Sequence, residues 1–125
     1  MGARFAIHHH ADPPAYYDII IDRGDSASTF RIVQFDMLAF QDGTEVKAEI
    51  IDNADGCGLD DPIGCGSGRV RLFDAGSCLI ERWSPPVYII HIAGRQFYGT
   101  LHILKVQEGY SLRYVRSRAK KQPPR

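Results

Sequence analysis

The sequence predicts an all-β domain: a compact closed or nearly closed barrel of short antiparallel strands with little helix, or its two-sheet relative, the sandwich. Short runs rich in β-branched and aromatic residues recur along the whole chain. Gly, Pro, Asp and Asn separate those runs. No window sustains a 3.6-residue apolar period. Closure has a physical motive, because it removes unpaired strand edges that invite aggregation.

Taken in order, the predicted strands cover 4–9, 16–22, 29–34, 46–51, 69–73, 77–82, 87–93, 97–104 and 110–115. The first two flank Pro13-Pro14, where the chain must turn because proline cannot donate to a ladder. Asp74-Ala75-Gly76 reads as a turn between 69–73 and 77–82. The clearest hairpin is Val87 to Leu104, with Gly94-Arg95 as a two-residue type II′ turn. That register sets His91 opposite Tyr98 and puts His91, Tyr98, Thr100 and His102 on one face, toward solvent or a polar cavity. Ile90, Ile92, Phe97, Leu101 and Ile103 fall on the other, as core.

At 125 residues the chain is one domain. No apolar stretch approaches the roughly 20 residues of a membrane span, and no signal peptide is visible, so a cytoplasmic location is expected. The odd cysteine count, Cys57, Cys65 and Cys78, suits free thiols in a reducing compartment, with zinc ligation by Cys57 and Cys65 as the sharper alternative. Net charge is zero but uneven. Residues 1–112 hold nine Lys or Arg against fifteen Asp or Glu, while 113–125 hold six basic residues and no acid. The expected organisation is a barrel over 1–112 and a basic, flexible tail over 113–125 able to touch phosphates. The glycine-rich segment 52–68 is the longest irregular stretch. Its carboxylates do not form an EF-hand, since Ala54 stands where a third oxygen ligand is required.

The segment from Arg4 to Ile21 carries most of the chemistry. It places His10 at the end of one apolar run and Asp18 inside the next, where two ligands for manganese or zinc can converge across the turn. His8 shares the strand face of His10, and His9 points the other way. The spacing His10-x5-Tyr16-x-Asp18 resembles the His-x5-His-x-Asp of the 3′-phosphoesterase domain of bacterial DNA ligase D and its stand-alone relatives. Two further stretches resemble that family, Gly66 to Gly76 and Gly94 to Lys105, so that the similarity runs over about 4–105 in the expected order.

The resemblance implies a compact β-barrel with a metal and phosphate site in a concave face. It also implies manganese-dependent trimming of 3′ ends of DNA or RNA–DNA strands before joining, with a ligase or polymerase as repair partner. Carried over by position, His10 and Asp18 match metal ligands, and His8 is available to supply a further imidazole. Tyr16 replaces the second metal histidine, Asn53 the catalytic histidine, Ile20 a phosphate-binding arginine and Gln34 a lysine. Tyr16, Arg69 and Arg71 are the candidate phosphate contacts. Neutral tyrosine is a poor manganese ligand, and asparagine cannot shuttle a proton at neutral pH. The expectation is therefore weak or lost catalysis with a nucleic-acid or repair-partner binding role. The alternatives are an active manganese phosphoesterase with a rearranged site, or a structural scaffold.

Overall fold

Residues whose side chains alternate between apolar and polar pair readily across tight turns, and here the chain closes on itself. The structure, a computed structural model, describes residues 2–33, 36–51 and 70–117. Its elements are β1 (Ala3–His10), β2 (Tyr16–Asp22), β3 (Ala27–Val33), α1 (Met37–Gln41), β4 (Val46–Ile51), β5 (Val70–Ser84), β6 (Val87–Ala93), β7 (Tyr98–Val106) and β8 (Gly109–Arg116). The strands form a closed antiparallel barrel in the order β1-β2-β3-β4-β8-β7-β6-β5. The predicted fold class is what the molecule has.

One face of each strand fills the barrel. Phe5, Ile7, Ile19, Ile21, Phe30, Ile32, Ile90, Ile92, Phe97, Leu101, Ile103, Leu112 and Tyr114 form one buried cluster. Each such side chain contributes about 1.5–3 kcal/mol through removal from water. Helix α1 was not anticipated, because at five residues it is too short to show a period. Asp36 caps it, accepting from the amides of Leu38 and Ala39. Its Phe40 is buried with ring centroids 5.8 Å from Phe97 and 6.3 Å from Tyr114.

Three sequence expectations need correction. The runs 69–73 and 77–82 are parts of the single strand β5, and Asp74-Ala75-Gly76 stays in the ladder opposite Ile7, Ala6 and Phe5. The irregularity lies instead in register shifts at Ile7/His8 and Ile80/Arg82, which let so long a strand bend around the barrel.

The β6–β7 connection is the second. It spans Gly94–Phe97, with the Gly94 amide donating to the Phe97 carbonyl at 2.7 Å, so His91 faces Thr100 and Ala93 faces Tyr98. The buried Asp74 carboxylate decides this register by accepting from the amides of Arg95 (2.9 Å), Gln96 (3.0 Å) and Phe97 (2.8 Å). A Cβ on Gly94 would lie 2.5 Å from Asp74 Oδ2, which is why glycine stands there. The register moved by two residues, so the core face of this hairpin is the predicted one.

The third concerns the boundary after Leu112. It falls inside β8: Arg113 pairs with His102 and Arg116 with Gly99, both arginines being exposed members of the last strand. Residues 118–125, Gln34 and the segment 52–69, with Asn53, Cys57, Cys65 and Arg69, lie outside the described residues. Among the described residues, no helix is long and apolar enough to cross a membrane.

Candidate functional site

On β1, Phe5 and Ile7 enter the core, so Ala6, His8 and His10 take the opposite face. On β2 the same rule gives Tyr16, Asp18 and Ile20, and on β3 Thr29, Arg31 and Val33. Register then sets His8, Asp18 and Arg31 in one cross-strand row and His10, Tyr16 and Val33 in the next. This second face is buried as well: Ala6, His8, His10, Asp18, Ile20 and Thr29 are all at most 7% exposed, although none belongs to the central core cluster.

The pairing brings His10 and Asp18 together as the spacing predicted, with His10 Nε2 3.4 Å from Asp18 Oδ2. It also brings an unanticipated cation. Arg31 donates from Nε to Asp18 Oδ1 at 2.8 Å and from a terminal nitrogen to Oδ2 at 3.0 Å, a bidentate clamp on a buried carboxylate. The Arg31 guanidinium lies 4.0 Å from the centroid of the Tyr16 ring, and that ring stacks on His10 at 4.1 Å and 21°. Tyr16 thus points into the cluster, where its ring meets both His10 and Arg31.

Burial lowers the pKa of His10 below its ordinary 6.5; Arg31 and His8 add to this and Asp18 opposes it. The His10–Asp18 separation would suit an ion pair only with a protonated imidazole, and desolvation keeps the ring neutral near pH 7. A proton on Nε2 toward Asp18 leaves the Nδ1 lone pair, which is buried and has no hydrogen-bond partner among the described residues.

The described residues do not complete a manganese site. Both Asp18 oxygens are engaged by Arg31, and no set of three His, Cys, Asp or Glu is arranged to hold a metal among the described residues. His8 is opposite Asp18 in register and 1% exposed, yet it does not join His10 and Asp18 in such a set. Arg71 is exposed and pairs with His9, on the opposite face of β1 from His10, so it stands apart from the cluster. His9 is half-buried, stacked on Tyr17 at 4.3 Å and 8°. Arg31 is not among the residues singled out from the sequence, where Gln34 takes the place of the basic residue of the third strand. Its signal was being the lone cation in Ser28-Thr-Phe-Arg31-Ile-Val33, on the face opposite Phe30 and Ile32.

Two further positions serve the fold. Asp74 anchors the β6–β7 turn, and a Cβ on Gly99 would meet the Val115 carbonyl oxygen at 2.1 Å. The face holding His91 and His102 does carry cavities. His91 borders one of about 290 Å³, and His102, exposed, borders another of about 430 Å³ with Glu45, Ser111 and Arg113. Comparison of the sequence with protein-family models and with curated proteins finds no match.

Proposed function

We propose that this chain keeps the scaffold of a nucleic-acid 3′-end phosphoesterase with catalysis weak or lost, and acts in the cytoplasm by binding nucleic-acid ends or a ligase or polymerase repair partner. The bidentate hold of Arg31 on Asp18 carries this reading. A carboxylate already paired with a guanidinium is a poor partner for a divalent ion, because the metal must first displace or share a charge-assisted contact. Tyr16, its ring engaged by His10 and Arg31, is a poor manganese ligand in the place of an imidazole. One observation favours residual activity through a rearranged site: Nδ1 of the neutral His10, without a partner among the described residues, keeps a lone pair in a buried place.

The test is a manganese titration with a 3′-phosphorylated DNA primer. The unmodified chain is expected to show little manganese-dependent phosphate release, and Tyr16→His with Asn53→His to raise it by restoring two imidazoles. Robust release by the unmodified chain, abolished by His10→Ala, would establish the active alternative. Nucleic-acid binding has its own readout. The four cations beyond Ser117 (Arg118, Lys120, Lys121 and Arg125) should give log affinity a slope of about −3 to −4 against log salt, lost on truncation after Ser117. Truncation after Leu112 would instead cut β8 and the barrel with it.

A further inference from the structure

We propose that Glu81, His91 and Thr100 form a second reactive site, a threonine nucleophile with its base and orienting carboxylate, beside a groove suited to a small neutral carboxylic ester. The site lies on β5, β6 and β7, away from the cluster on β1 to β3, and does not depend on the proposed function.

The geometry fixes the proton positions. His91 Nε2 lies 2.6 Å from Glu81 Oε1, and His91 Nδ1 lies 3.0 Å from Thr100 Oγ1. An ionised carboxylate only accepts, so Nε2 carries a proton. In the neutral imidazole Nδ1 then holds the lone pair, and the Thr100 hydroxyl must be the donor. Hydroxyl, base and carboxylate therefore stand in the order that activates an alcohol for attack, with the two ring nitrogens both committed. The backbone contributes to this. Ile80 pairs with Ile90 and Arg82 with Ile89, which leaves Glu81 as the bulged residue of β5, and a bulge re-aims the side chain it carries. His91 and Thr100 are direct cross-strand partners.

A groove of about 290 Å³ opens beside Thr100, with Ser77, Cys78, Ala93, Tyr98 and Gly99 among its walls. Among the described residues no Lys or Arg lines it, and Glu81 is adjacent to His91, so those residues offer a phosphate ester or other anion no counter-charge. A small uncharged ester fits both the size and the charge. Cys78 competes poorly as a nucleophile, since burial, with Asp22 adding, pushes its thiol up to about 11 and keeps it protonated.

In the reaction, Thr100 Oγ forms a bond to the ester carbonyl carbon while its proton passes to His91 Nδ1, and Glu81 steadies the imidazolium. The tetrahedral species breaks its bond to the alkoxy oxygen, which leaves as the alcohol with the proton from Nδ1. Water then attacks the acyl-threonine with His91 again taking the proton, and releases the carboxylic acid and free Thr100. Ester and water give acid and alcohol, with no redox change.

The experiment treats the full chain with p-nitrophenyl acetate, follows p-nitrophenolate release, and locates the acetyl group by peptide mass spectrometry. Acetyl on Thr100 is expected, retained in Thr100→Ser and absent in the isosteric, strand-compatible Thr100→Val. His91→Gln should slow release about a hundredfold, the usual share of an oriented general base. Glu81→Gln should slow it about fivefold, since the pair is largely exposed, and Glu81→Asp should recover part of that loss. Circular dichroism checks folding, and the exposed Glu81 and half-buried His91 report on the site even if the Thr100→Val chain fails to fold. Acetylation elsewhere with none on Thr100, or release unaffected by His91→Gln, overturns the proposal.

Discussion

Arg31→Met removes the cation from Asp18 and leaves a carboxylate that is 6% exposed without its two charge-assisted donors. Breaking a fully buried ion pair costs about 3–5 kcal/mol because one charge stays desolvated. The Arg31 side chain is 28% exposed, so water reaches this pair and the cost is discounted to about 2–3 kcal/mol. Loss of the contact with the Tyr16 ring adds about 0.5 kcal/mol, which methionine packing on that ring offsets. For a chain of this size the melting temperature should drop by roughly 6–12 °C near pH 7.5.

The neighbouring imidazole supplies a sharper signature. Arg31 is one of the groups that lower the His10 pKa, so its removal lets His10 protonate more easily and take over Asp18 across 3.4 Å. The deficit of Arg31→Met should therefore shrink between pH 7.5 and pH 5.5. The assay is urea unfolding of the unmodified chain, Arg31→Met, Asp18→Asn and the double variant at both pH values, analysed as a double-mutant cycle. A coupling of about 2 kcal/mol is expected, with the double variant more stable than Arg31→Met alone. A single-variant loss below about 0.5 kcal/mol, or strictly additive losses, would refute the view that the pair is a coupled, buried unit.

Other outcomes follow from the same contacts. The folded-state pKa of His10 lies below its ordinary 6.5, so the unfolded chain binds more protons on acidification. Its contribution is intact above about pH 6.5 and is lost as pH falls through the lower folded value; His10→Phe should flatten that part of the urea-midpoint profile. Asp74→Ala should cost about 2–4 kcal/mol, because the Arg95, Gln96 and Phe97 amides lose their acceptor and the Phe97 amide is buried. Asp74→Asn, keeping one carbonyl oxygen, should recover part of this in the same denaturation assay.

The barrel was legible in the sequence because a strand's period is two and its core face shows directly in the order of residues. Val87 to Leu104 illustrates both the power and the limit of that signal. Alternation placed Ile90, Ile92, Leu101 and Ile103 inside correctly, yet the register was off by two residues. A shift of two preserves every face and changes every partner, so the core survived the error while His91 exchanged Tyr98 for Thr100. The information that fixes this register is remote: Asp74, about twenty residues earlier, binds the amides of the turn. The same reasoning applies to the polar cluster. His10 and Asp18 could be brought together from a local hairpin, because Pro13-Pro14 limits how the chain returns. Arg31 reaches Asp18 only through the β2–β3 register, which the sequence leaves open by even steps. Chemistry depends on partners rather than on faces, and partners are set by side chains that pin a turn or fill a bulge. Glu81 makes the point most directly: alternation puts it on the face of Leu79, the cross-strand partner of His91, and the extra residue in β5 sets which side chains of β6 it lies beside.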